Sequence, residues 1–160
     1  MSEQNKIRMR QLSSAEIPEL SDFLSEAQLP IEDLTLPGRM FFRFDRAGEL
    51  LGFGGIEGSG HDRLLRSLIL VESRRGKGDG RRVLAMLEHV ALTDGVQRLH
   101  LLTNTASTFF SANGYRAAPR SEAPEAISSS DEFTSLCDAS AVYMVKDLRD
   151  CGASSGRPPE

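Results

Sequence analysis

Between positions 74 and 82 the chain reads Arg74-Arg75-Gly76-Lys77-Gly78-Asp79-Gly80-Arg81-Arg82, five cations and three glycines in nine residues of a protein whose net charge is −4. Glycines let a backbone approach a ligand closely and turn its N–H groups inward, and a helix that starts beside them adds partial positive charge. That combination makes a phosphate site, and this many cations fits a ligand with several phosphates, of which coenzyme A is one. A nucleotide-hydrolysing loop would follow its lysine with a serine or threonine to hold magnesium, but Lys77 is followed by Gly78. A dinucleotide-binding fold would place the glycines after its first strand, whereas several strand-like segments come first here. Taken alone, the loop also fits a glycine-rich turn under a solvated basic face.

The segments on either side are those that would position such a loop. Ile7, Met9 and Gln11 alternate with Arg8 and Arg10 as in a strand, and Ser13-Ser14 ahead of Glu16 opens an amphipathic helix through Ile17, Leu20, Phe23 and Leu24 to near Ala27. Pro30 and Pro37 mark a connecting segment with a turn of helix at Ile31 to Leu34. Met40 to Phe44, a turn at Asp45 to Gly48, and Glu49 to Ile56 predict a hairpin. Arg63 to Val71 is the longest strand-like run, and Leu68 to Val71 is apolar on both faces, which predicts a central strand. Arg81 to Thr93 carries Val83, Leu84, Leu87, Val90 and Ala91 on one helical face and closes at Asp94-Gly95. A strand over Val96 to Thr103, a helix over Thr105 to Ala112 ending at Asn113-Gly114, and an extended piece from Tyr115 follow. Ala117 to Asp131 reads as a surface loop with one helical turn at Glu125 to Ser128, and Ala139 to Asp147 as a last strand. His89 and His100 read as ordinary helix and strand residues.

At 160 residues and 17.5 kDa the chain has room for one domain. We place that domain at residues 1–148 and read the Gly, Ser and Pro-rich tail 149–160 as disordered. Its pI near 5.5 argues against wholesale nucleic-acid or anionic-membrane binding. Two cysteines, Cys137 and Cys151, make neither a disulfide framework nor a metal site, so no metal and a cytoplasmic compartment are expected. The first residues contain no apolar leader, and no run of apolar side chains is long enough to span a membrane.

Arg75-x-x-Gly78-x-Gly80 after a strand ending Ser67-Leu-Ile-Leu70 resembles motif A of the GCN5-related N-acetyltransferase (GNAT) superfamily, and Phe109-Phe110-x-x-x-Gly114-Tyr115 resembles its Phe-Tyr-x-x-x-Gly-Phe motif. The resemblance spans Ile7 to Leu148. Within the superfamily, Leu64 to Leu68, Leu101 to Phe110, and Glu132-Phe133 through Cys137 to Ser140-Ala141 look like the bacterial arsenic-resistance N-acetyltransferases, which are similar to amino-acid acetyltransferases; Asp138 stands where that subfamily has proline. The resemblance implies an α/β GNAT fold, a mixed and mostly antiparallel sheet of six or seven strands with helices on both faces. It implies acetyl-CoA as donor, its diphosphate on the amides of Gly76, Lys77, Gly78, Asp79, Gly80 and Arg81, with Arg75 beside them. The backbone of Leu68, Ile69 and Leu70 would bind the pantetheine arm and polarise the thioester carbonyl.

Departures from the family pattern move the remaining roles. Many relatives carry glutamate where Leu64 stands, which leaves Glu57 as the candidate base, with a solvated surface carboxylate as its plain alternative. The tyrosine that protonates the leaving thiolate in many relatives is Phe110 here, so that proton would come from water. Thr103 occupies the spacing of a favoured asparagine and Asn104 lies one residue later; both are candidate pantetheine contacts. Arg66, odd in an apolar strand, would grip an acidic group on the acceptor or else sit in a structural ion pair. Ser67 and His61 are candidate polar contacts to the acceptor. The expected reaction is acetyl transfer to the primary amine of a small amino-acid-like molecule, by direct attack through a tetrahedral intermediate, with an arsenic link resting on the subfamily resemblance. A non-catalytic acyl-CoA sensor and a protein-amine acetyltransferase are the alternatives, and a homodimer is compatible with either.

Overall fold

The structure is a computed structural model; it describes residues 6–27, 29, 31, 34, 35, 37–71, 78–130, 133 and 140–149. Strands β1 (Ile7–Gln11), β2 (Arg39–Arg46), β3 (Glu49–Glu57), β4 (Asp62–Leu70), β5 (Arg98–Thr103), β6 (Arg116–Ala117) and β7 (Val142–Asp147) form a seven-stranded sheet in the order β1-β2-β3-β4-β5-β7-β6. Helices α1 (Ile17–Glu26), α2 (Asp79–Thr93), α3 (Ser107–Ala112) and α4 (Glu125–Ser128) are interleaved with them. The β4/β5 pairing is parallel, while β1/β2, β2/β3, β5/β7 and β6/β7 are antiparallel, so the sheet is mixed as expected. No helix among the described residues is long and apolar enough to cross a membrane.

The chain clusters into two units, Met1–Glu57 with Leu65–Leu87, and Gly58–Leu64 with Glu88–Glu160. In the first, Glu16 reaches back to accept the Ser13 N–H at 2.9 Å, the capping box that the serine-glutamate spacing predicts. Helix α1 then lays Leu20 and Leu24 against Phe41, Phe53 and Ile69, with the Phe23 and Phe53 rings 5.4 Å apart. The opposite face of β3 receives α2, because a Cβ on Gly54 would collide with Leu87. Helices therefore cover both faces within this unit. The β2/β3 hairpin turns on Ala47 and Gly48 alone, with φ of +54° and +84°. The strand thus runs through Asp45 and Arg46, two residues further than their polarity indicates, because a two-residue hairpin turn needs positive φ at both positions.

In the second unit, α2 ends as the Asp94-Gly95 pair predicts. Gly95 takes φ +89°, its N–H bonds the Leu92 carbonyl and the Val96 N–H bonds that of Ala91. The same device ends α3 at Gly114 (φ +97°), where Tyr115 donates to Phe110. The predicted helical turn over Glu125–Ser128 is present, and β7 starts at Val142, later than expected. Residues 1–5, 28, 30, 32–33, 36, 72–77, 131–132, 134–139 and 150–160 fall outside the described residues, and with them the middle of the turn expected at Ile31 to Leu34, most of the tail, and Glu132, Cys137 and Asp138.

Candidate functional site

Ser67 is the one residue inside a strand, among those described, to hold a left-handed backbone, with φ +59°. Neighbouring contacts show what that does. Arg66 lies over the Phe41 ring, 5.7 Å from its centroid, on the α1 face, and Ile69 joins Phe41 and Phe53 in the core on that same face. Leu68 lies on the α2 side, where both it and Leu87 would meet a Cβ built on Gly54. Side chains of a regular strand alternate, so residues three apart cannot share a face. The turn at Ser67 is a bulge that resets the alternation and re-aims the peptide that follows. Gly52 makes room for it, since a Cβ there would run into the backbone carbonyl of Ile69.

Glu57 and Arg66 meet on the α1 face. Arg66 Nη1 donates to Glu57 Oε1 at 2.9 Å, Arg39 Nη2 stands 3.3 Å from Glu57 Oε2, and Arg66 Nε donates to the Ser67 hydroxyl at 3.2 Å. Glu57, Arg66 and Ser67 are buried, the Arg66 side chain wholly so, and Arg39 is half-buried. Glu57 is therefore not a solvated surface carboxylate. Of the two roles open to Arg66, an ion pair is the one these contacts display.

The start of α2 also differs from expectation. Helix begins at Asp79 rather than Arg81, so Asp79 and Gly80 belong to its first turn, while Gly78 precedes it at φ +85°. Asp79 is 2% exposed, and Arg46 of the hairpin grips both its carboxylate oxygens, Nη2 to Oδ1 at 3.0 Å and Nη1 to Oδ2 at 3.3 Å. Arg82 Nη1 adds a contact to Oδ1 at 3.4 Å. A carboxylate in a first turn complements the helix dipole. With its side chain occupied, what Asp79 can offer an anion is its backbone. Arg81 is exposed, and Arg75, Gly76 and Lys77 lie outside the described residues.

The remaining candidates belong to the second unit. His61 is exposed and its carbonyl accepts the Gln97 and Arg98 N–H groups. Thr103 Oγ1 accepts the Ala106 N–H at 3.0 Å ahead of α3, and Asn104 is exposed. Phe110 is buried edge-on between Phe109 and Tyr115. Parallel β4/β5 pairing joins Asp62, Arg63 and Leu64 to Arg98, Leu99 and His100.

That ladder brings together a cluster the sequence reading passed over. His100, 1% exposed, places Nε2 at 2.8 Å from Asp62 Oδ1 and Nδ1 at 2.8 Å from the Tyr143 hydroxyl. Asp62 can only accept, so Nε2 carries hydrogen in the neutral ring and Tyr143 donates to Nδ1. Arg98 Nε balances Asp62 at 2.9 Å. Burial pushes the imidazole below the ordinary histidine range against the pull of Asp62, and burial likewise pushes the Tyr143 phenol up. A second cluster joins Tyr115 and Lys146 to Glu88, at 2.9 and 3.1 Å. The one available signal was the period-two register of β5 and β7, which sets His100 opposite Val145 and diagonal to Tyr143.

With the geometry in hand, the chain can be compared with known proteins. No curated protein matches it. Among solved structures it is similar to the N-acetylglutamate synthase of Neisseria gonorrhoeae complexed with coenzyme A and L-arginine, at TM-score 0.72 and 19% identity over 89% of this chain and 33% of that one. The chain thus spans about a third of the length of that synthase. It is also similar to a GNAT-family acetyltransferase from Staphylococcus aureus Mu50, at TM-score 0.69 and 16% identity over 89% and 99% of the two chains. An aminoglycoside 6'-N-acetyltransferase complexed with coenzyme A gives TM-score 0.64 and 17% identity over 88% and 97%. Such identities establish a shared fold. The model of the Acetyltransferase (GNAT) family matches residues 7–115, which carry the bulged strand, the start of α2 and the Phe109-Phe110 segment, and the chain belongs to that family.

Proposed function

We propose that this protein transfers the acetyl group of acetyl-CoA to the primary amine of a small amino-acid-like acceptor. The observation that carries the reading is the Ser67 bulge on the strand that leads to α2. A bulge turns one peptide out of the regular ladder, and an N–H so aimed can stabilise the oxyanion that develops when an amine attacks a thioester. Leu68 supplies that N–H, and the backbone through Ile69 and Leu70 holds the pantetheine arm. Gly78, with its positive φ, and the first amides of α2 suit a diphosphate; Asp79, neutralised by Arg46 and Arg82, does not oppose it.

Acetyl-CoA supplies an activated thioester. A thiol of pKa about 8.5 leaves tolerably without a dedicated acid, so phenylalanine at position 110 is compatible with turnover. The acceptor amine must lose a proton before or during attack, since an ordinary alkylamine has a pKa of about 10.4. An amino-acid acceptor agrees with the similarity to a synthase crystallised with N-acetyl-glutamate. The arsenic-resistance resemblance extends the acceptor class to organoarsenical analogues of amino acids, and with it we place the protein in the cytoplasm.

The test is a thiol-release screen of free amino acids, organoarsenical analogues and lysine-bearing peptides with acetyl-CoA. Release that rises with a free amino-acid-like amine is expected. Preference for peptides would move the assignment to protein-amine acetylation, and acetyl-CoA binding without turnover would make the protein a sensor. The variant G78E should abolish acetyl-CoA binding in calorimetry, and unchanged affinity would remove the phosphate site.

A further inference from the structure

The strain at Ser67 requires something to hold it. A non-glycine residue in the left-handed region is strained and persists only where its surroundings over-determine it. Those surroundings are an anchored guanidinium. Glu57 Oε1 fixes Arg66 Nη1 at 2.9 Å, Phe41 lies under the guanidinium at 5.7 Å, and Arg39 holds the second Glu57 oxygen at 3.3 Å. Guanidinium donors form a rigid planar fork, so fixing Nη1 and the plane also fixes Nε, whose hydrogen goes to the Ser67 hydroxyl at 3.2 Å. If Ser67 relaxed to negative φ, regular alternation would put either Arg66 or Ile69 on the wrong face. It would then part a buried ion pair or pull an apolar side chain from the core, and each outcome is costly.

We infer that Arg66 and Glu57 are positioning residues whose ion pair holds Ser67 in its left-handed turn and so aims the Leu68 N–H at the carbonyl under attack. Neither side chain grips the acceptor or takes its proton. This inference rests on the acetyl-transfer reading. Chemistry favours the assignment over both alternatives. Arg66 is wholly buried with its charge already matched by a carboxylate, and each Glu57 oxygen faces a guanidinium that a base would first have to shed.

The experiment compares E57Q, R66K, R66A and S67G with the wild type on two acceptors, one bearing a carboxylate and one lacking it. Lost aim weakens only transition-state binding, so in E57Q and R66A kcat should fall roughly tenfold to a hundredfold on both acceptors while KM moves less than about threefold. R66K should recover part of the R66A loss, and the pH-rate profile of E57Q should keep its shape at a lower plateau. A KM rise confined to the carboxylate-bearing acceptor would make Arg66 a substrate ligand and overturn the inference. Loss of one limb of the E57Q profile would make Glu57 the base and overturn it as well. S67G guards against misfolding: glycine adopts positive φ without steric cost, so a folded S67G should keep kcat within about threefold of wild type, and a loss of about tenfold would give the Ser67 hydroxyl itself a part in the chemistry and overturn the idea. A crystal structure of R66A gives a readout independent of activity. Ser67 should leave the left-handed region there, and a retained positive φ would refute the bracing even if no amine proved to be a substrate.

Discussion

Two buried polar clusters, one in each unit, answer the same demand in opposite ways. Around Glu57, two arginines face one carboxylate, and arginine keeps its proton at any pH a protein survives. Around His100, a neutral ring sits between the Tyr143 hydroxyl and Asp62, and its proton count can change near neutrality. The first cluster is a permanent brace beside a strained peptide. In the second, a proton gained at Nδ1 reverses the bond to Tyr143, whose hydroxyl must then accept. Burial of polar groups therefore says little about role until the titratable member is identified.

The brace can be broken hardest from its neighbour strand. Gly52→Ala would press a methyl into the Ile69 carbonyl, a backbone atom that cannot move alone, and should destabilise the protein by about 3 kcal/mol or more in urea unfolding. A wild-type midpoint would mean that β3 and the bulged segment lie further apart than described. Glu57→Ala removes the carboxylate that faces two guanidiniums and should cost roughly 3 kcal/mol, as breaking a buried ion pair does. A change within about 0.5 kcal/mol, the range of ordinary surface substitutions, would show that other groups neutralise the pair.

How much of this was legible in the sequence follows from range. The sheet elements, the capping box at Ser13 and Glu16, and the glycine stops at Gly95 and Gly114 depend on residues a few positions apart, and periodicity or spacing exposes them. The brace was visible only as an oddity, one arginine in an apolar strand, because its partner is nine residues away across a turn. The bulge left no local signal, since serine is not a residue that demands positive φ. His100 and Asp62 are 38 positions apart and Asp79 and Arg46 are 33, so only strand order and helix placement bring them together.

Tyr143→Phe should sharpen the contrast with a smaller effect. Loss of the hydroxyl leaves His100 Nδ1 without the O–H it accepts, while the ring stacked 5.9 Å away remains. An unsatisfied buried acceptor costs about 1–3 kcal/mol, so a loss near the lower end of that range is expected in denaturant unfolding. Turnover per folded molecule should follow wild type, because the proposed oxyanion donor, the Leu68 N–H, is aimed by Ser67, Arg66 and Glu57 and not by the Tyr143 hydroxyl; a fall in kcat exceeding the change in folded fraction would assign Tyr143 a part in the chemistry.

The smallest effect belongs to the histidine cluster. Burial, acting against Asp62 and assisted by Arg98 and Arg116, holds the His100 pKa below its ordinary value of about 6.5. As pH falls through that value the unfolded chain takes up a proton that the folded chain refuses. The unfolded state then binds more protons, and stability is lost with falling pH until the buried ring protonates too. One proton sets a slope of at most about 1.4 kcal/mol per pH unit, so the expected loss between pH 7 and 5.5 is about 1 kcal/mol or less. Glu16 and Asp147, whose carboxyls are held low by the Ser13 N–H and by Arg149 respectively, lose their contributions only in a more acidic window. His100→Gln should flatten the slope between pH 7 and 5.5, and a slope equal to that of the wild type would mean that a group other than His100 sets it.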